Sequence, residues 1–157
     1  MRALLVIVLL ALLVPFSARA ADVEFVRVWP AWRDASAFES ISEYFTGREE
    51  HGHRVVRRTT PDARAGFYYL VRVKNSDSAK TAAKFSLQVI TPLSPATKTY
   101  SFAVDLPSGQ TVFQLGLTGP DWPNAKTHPV AWKLELLSAD GSVLATAKSF
   151  LWEMPSR

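Results

Sequence analysis

No cysteine occurs among the 157 residues. That excludes disulfides, thiol catalysis and a lipid-modified cysteine at an export cleavage site. A domain without covalent staples depends on its hydrophobic core. The chain also lacks a Gly-x-Ser-x-Gly elbow, a phosphate loop, a Gly-x-Gly-x-x-Gly turn and a His-Glu-x-x-His pair, so no motif for acyl transfer, nucleotide binding or zinc hydrolysis is present. Only three histidines are available as ligands or bases. A surplus of one charge is missing too. The formal charge of +4 falls to +2 once Arg2 and Arg19 leave with the N-terminal segment described next. Near-balanced charge argues against a nucleic-acid partner.

Long apolar runs are absent except at the start. Arg2 is followed by the unbroken run Ala3 to Val14, then Pro15 and Ser17-Ala18-Arg19-Ala20. A positive residue, a short apolar stretch and a small-x-small ending make an export signal. The run is shorter than the about 20 residues a spanning helix needs. The spacing predicts cleavage after Ala20, and thus a bacterial periplasmic or secreted protein with no membrane span after cleavage. Residues 1–20 are read as the signal and 21–157 as one domain. Within it, 21–65 hold an N-terminal strand, helix and edge strand, and 66–152 hold the core.

The most regular stretch is Gly66 to Asn75. Phe67, Tyr69, Val71 and Val73 alternate with Tyr68, Leu70, Arg72 and Lys74, which predicts a central strand. Val23 to Trp29 reads as a first strand, with Val23, Phe25 and Trp29 on one face and Pro30 ending it. Ser36-Ala37-Phe38-Glu39 fits a capping box, and Phe38, Ile41 and Phe45 follow at helical spacing until Gly47. A short amphipathic helix is expected there. Arg54 to Thr59 reads as a short edge strand. Lys84 to Thr91, then Tyr100 to Leu106, then Phe113 to Leu117 alternate again, and a loop containing Pro92 and Pro95 separates the first two. Thr118 to Pro129 reads as a long loop. Val130, Trp132, Leu134 and Leu136 restart the alternation. Asp140-Gly141 predicts a hairpin in which both turn residues take positive φ. The last strand is expected from Val143 to Trp152, with a bulge near Ser149 that brings Phe150 and Trp152 into register. The expected core is Phe67, Tyr69, Val71, Phe85, Leu87, Phe102, Val104, Leu115, Trp132 and Leu134. Trp29 and Trp152 are read as core as well, and Trp32 as packing beneath the helix.

About eight short strands without βαβ spacing make an all-β, antiparallel chain. The run Phe67-Tyr68-Tyr69-Leu70-Val71-Arg72-Val73 and the closing hairpin Trp132 to Gly141 resemble a bacterial immunoglobulin-like or fibronectin-like β-sandwich. The resemblance covers residues 66–152, is architectural, and lacks the cysteine pair of antibody domains. A closed eight-stranded barrel is the alternative. Such a sandwich hosts many functions, so the resemblance implies no activity.

Three clusters carry candidate chemistry. Glu49-Glu50-His51-Gly52-His53 places two imidazoles beside carboxylates, but a metal site needs three or four converging ligands and the third histidine is distant His128. No metal and no cofactor are expected. Arg54, Arg57 and Arg58, with Arg64 and Arg72, form a basic cluster. It reads either as a patch for an anionic envelope polymer or as edge-strand protection. Trp122, with Asp121 and Asn124, stands in the proline-rich loop, as an exposed ring for a sugar or partner or as a plug in the sandwich end. These features predict a non-catalytic binding or structural module of the cell envelope. Its partner would be an envelope protein or polysaccharide. The alternative is a carbohydrate-binding accessory domain using Trp122.

Overall fold

A computed structural model describes residues 22–39 and 54–153. The export signal, the bulk of the expected helix and the Glu49 to His53 cluster lie outside the described residues. Two four-stranded sheets face each other as a β-sandwich. The first contains β1 (Val23–Arg33), β2 (Arg54–Arg58), β3 (Gly66–Asn75) and β6 (Gly109–Thr118), in the order β1-β3-β6-β2. The second contains β4 (Lys80–Thr91), β5 (Ser94–Leu106), β7 (Ala131–Leu137) and β8 (Val143–Lys148), in the order β5-β4-β7-β8. Two separate sheets replace the closed barrel considered from sequence.

The alternation in β3 works as read. Phe67, Tyr69, Val71 and Val73 are buried against the opposite sheet, while Arg72 and Lys74 are exposed on the outer face. Phe85 lies at the centre of the core, edge-on to Phe113 at 5.1 Å and stacked with Phe25 at 6.1 Å. Nine of the ten expected core residues are buried. Trp132 is half-buried at the margin, edge-on to Tyr69 at 5.5 Å.

The Tyr69 hydroxyl is buried without a hydrogen-bond partner. Burial first, and the neighbouring Tyr100 second, push its pKa far above the ordinary phenol value. An unsatisfied buried hydroxyl costs more than it contributes. Tyr69→Phe is therefore expected to hold or raise stability, by up to about 1 kcal/mol, as a denaturant midpoint would show. A loss of more than that would mean the hydroxyl has a partner in solution.

Several boundaries differ from the sequence expectation. β1 does not stop at Pro30 but runs to Arg33. It is an edge strand, and proline is tolerated where half of the N–H groups have no strand to bond. A bulge at Val26 breaks the register with β3 between Phe25 and Arg27. One inserted residue exchanges the two faces beyond it. Val28 and Trp32 consequently pack on the core, and Trp29 turns outward. The capping box is not formed. Ala35–Phe38 is one 3₁₀ turn capped by the Asp34 backbone, Ser36 lies inside it, and Glu39 is extended. Phe38 is buried on the Tyr68 ring at 4.7 Å.

β2 pairs parallel to β6, the one parallel pairing in either described sheet. The expected loop around Pro92 and Pro95 shrinks to a turn at Pro92 and Leu93, with Pro95 inside edge strand β5. At the Asp140-Gly141 turn only Gly141 has positive φ. Asp140 instead caps the turn, accepting from the Ser142 N–H at 3.0 Å and from the Ser138 hydroxyl. These bonds hold its carboxyl at about 2. β8 ends at Lys148 and Phe150–Glu153 forms a 3₁₀ turn, so no bulge at Ser149 brings Phe150 inward. Phe150 is 78% exposed and Trp152 half-buried.

Candidate functional site at one end of the sandwich

The loop between β6 and β7 is built by local hydrogen bonds. Thr118 ends β6 buried, and its hydroxyl accepts from the Thr60 N–H at 3.1 Å and donates to the Thr60 carbonyl at 3.0 Å. The Thr118 N–H donates to the Thr59 hydroxyl at 3.0 Å. This clasp ties the segment after β2 to the root of the loop. Gly119 follows at φ +59, a conformation that favours glycine, and a Cβ there would meet the Thr60 hydroxyl at 2.9 Å. Gly119–Asp121 then makes a 3₁₀ turn with Pro120 pre-setting its backbone.

That turn drives Trp122 into the sandwich end. The ring is 3% exposed, lies 5.0 Å from the Phe67 ring, and donates Nε1–H to the Thr127 carbonyl at 3.1 Å. Of the two sequence alternatives, the structure has the plug; an exposed indole is absent because the ring's apolar body and its one donor are both satisfied inside. Exposed Asn124 makes a local turn, its Oδ1 accepting from the Lys126 N–H at 2.9 Å. His128 is exposed and edge-on to Phe67 at 6.0 Å.

The folded loop and the β4–β5 turn enclose a cleft of about 330 Å³. Leu93, Pro120 and the inner edge of Trp122 give it an apolar wall, and Lys98, Asp121 and Asn124 give it polar corners. The three loop residues singled out from sequence therefore share one cavity. Leu93, Ser94 and Lys98 complete it, and sequence reasoning missed them. Their signal was the Pro92-Leu93 turn, which brings the start of β5 back over the loop. Asp121 also faces Tyr100. Burial, and then the Asp121 carboxylate to which it hydrogen-bonds, raise the Tyr100 pKa. On the other side of Trp122 a more open hollow of about 430 Å³ is lined by Trp32, Arg64, Gly119 and Pro123. The indole is the partition between the two.

The basic cluster is not one patch. Arg54 and Arg58 share the outer face of the first sheet with Arg72, whereas Arg57 points the other way. Its Nε–H donates to the Ala103 carbonyl of β5 at 3.0 Å, bridging the two sheets at their edge. Arg58 donates to the Tyr68 hydroxyl at 2.7 Å, and that hydroxyl donates to the Arg64 carbonyl at 2.6 Å. Among the described residues no three His, Cys, Asp or Glu side chains converge on a point, and no helix is long and apolar enough to cross a membrane.

No protein-family model matches the chain, and a search of curated proteins finds no match either.

Proposed function

We propose that the protein is an exported, non-catalytic binding module of the cell envelope and that its ligand occupies the cleft beside Trp122. The observation that carries this reading is the convergence of Lys98, Asp121 and Asn124 around an apolar wall in one cavity. Binding sites are mostly apolar concavities with a few placed polar groups. The cleft's walls come from a loop pinned at both ends by hydrogen bonds, so little ordering opposes binding. Export rests on the N-terminal Arg2 to Ala20 pattern.

The sandwich is, in this reading, immunoglobulin-like. Taking β1, β3 and β6 as strands A, B and E, and β4, β7 and β8 as C, F and G, reproduces the neighbour order of that fold, with β5 on the free side of C. β2 takes the place beside E that strand D holds, but it comes earlier in the chain and runs parallel. Loops at the end of such a sandwich are where recognition residues gather.

A glycan is the second reading for the ligand, favoured by the mixture of Asp, Asn and Lys beside Leu93, Pro120 and Trp122. The buried indole then offers its edge instead of an open stacking face. The test compares wild type with a Lys98→Ala, Asn124→Ala double variant on a glycan array and an envelope-protein overlay. Both positions are exposed, so the melting temperature is expected to hold while retention falls at least roughly tenfold, the equivalent of one lost charged hydrogen bond. A double variant that binds uncharged glycans and envelope proteins as wild type does would remove the cleft as the site.

A further inference from the structure

A second surface lies on the outer face of the first sheet, away from the cleft. In the register across that face, Arg27 of β1 stands opposite Arg72 of β3, Arg72 opposite Val112 of β6, and Val112 opposite Arg54 of β2. Three exposed arginines thus form one row across all four strands. With strands about 4.8 Å apart, the row is roughly 14 Å long. The Trp29 ring props two of them. The Arg27 guanidinium lies 3.9 Å from its centroid and that of Arg72 5.9 Å. Stacking on an indole orients the planar guanidinium and leaves its N–H fork available.

Among the described residues the counter-charge is missing. The one carboxylate in the next row, Glu24, pairs with Lys74 at 3.4 Å. Among the described residues no carboxylate lies within ion-pair distance of Arg27, Arg72 or Arg54. Like charges directly opposite on neighbouring strands oppose sheet pairing. Edge protection accounts for charges on β1 and β2, the strands that end this sheet. It does not account for Arg72, because β3 is an interior strand with both edges paired.

We propose that this row is a binding site for a linear anionic polysaccharide, one bearing regularly spaced carboxylates, lying across the strands. Arginine forks match carboxylates bidentately. A flat, linear row fits an extended polymer better than a compact anion. A bilayer surface fits less well, since the row's four positions hold three arginines and Val112 and no aromatic or long aliphatic side chain to enter the acyl region.

The experiment titrates the full chain with polygalacturonate and with the same polymer fully methyl-esterified, which keeps the backbone and removes the charge. Binding of the charged polymer alone, weakened by salt, is expected. Arg27→Gln with Arg72→Gln should weaken it by roughly tenfold or more. Arg72→Lys should recover only part, because lysine keeps the charge and loses the fork. The melting temperature serves as the folding control, and Lys98→Ala with Asn124→Ala should leave this binding unchanged. Equal affinity for the esterified polymer, or unchanged affinity in the double arginine variant, overturns the proposal. So does binding to phosphatidylglycerol vesicles, lost in the same variant, without binding to the polyuronate.

Discussion

Trp122→Ala is expected to destabilise the protein by about 3–5 kcal/mol, the range for removing a buried aromatic. For a domain of this size that lowers the melting temperature by roughly 10 °C or more. Three losses combine. The ring's contact with Phe67 disappears. The Thr127 carbonyl loses the indole donor that bonds it at 3.1 Å. The partition between the two hollows at the sandwich end is removed, so they merge into a space too large for neighbours to fill. Trp122→Phe should cost less, because a ring remains and chiefly the hydrogen bond, worth about 1 kcal/mol, is lost. Thermal melts of the three proteins check this. An unchanged Trp122→Ala melt would mean that the indole stands in solvent and that the loop is not folded as described.

Phe85→Ala is the second large effect, again about 3–5 kcal/mol. Phe85 is fully buried between the sheets and meets rings from two strands of the opposite sheet, Phe25 of β1 and Phe113 of β6. Its removal leaves a cavity at the point where the two layers are held together. Phe150→Ala makes the matching control. Sequence reasoning placed Phe150 inward on the last strand, yet it is 78% exposed. Surface substitutions stay within about 0.5 kcal/mol. Guanidinium unfolding of both variants separates the arrangements. A large loss for Phe150→Ala, or a small one for Phe85→Ala, would contradict the sheet packing.

The core was legible in the sequence because alternation reports which face a residue takes once the register is regular. β3, β4, β6 and β7 are regular over their buried stretches, and alternation identifies their inward residues, except Val130, which lies before β7 and is exposed while Ala131 is buried. Where register breaks, alternation misleads. The Val26 bulge sends Trp29 out, although its place in the alternation reads as core, and Trp32 onto the core, although its place before the helical pattern reads as packing beneath a helix. Proline was over-read as a terminator at Pro30 and as a loop marker at Pro95; both lie on edge strands, where proline is permitted. The parallel pairing of β2 with β6 had no local signal, since it depends on residues 58 positions apart meeting, as Thr60 and Thr118 do. The same holds for the cleft. The loop with Asp121, Trp122 and Asn124 stood out by its length and prolines, but its opposite wall at Leu93, Ser94 and Lys98 comes from a hairpin distant in sequence. The arginine row was half visible. Arg54 and Arg72 were noticed as charges, whereas Arg27 joins them only through the bulge, and Arg57 leaves them to bridge the sheets.

The most direct measurement is an amide-resolved NMR titration of the protein, carrying Arg27→Gln and Arg72→Gln so that the outer arginine row does not contribute, with soluble glycan and peptide fractions from its own envelope. Three reporters surround the cleft: the Trp122 indole N–H, bonded to Thr127; the Asn124 side-chain amide; and the backbone amides of Leu93 and Ser94. A fraction that binds is expected to move all three together, with the core amides of β3 and β4 unmoved. Binding fractions that leave these reporters unshifted, or shifts confined to another surface, would contradict the assignment of the cleft as the ligand site.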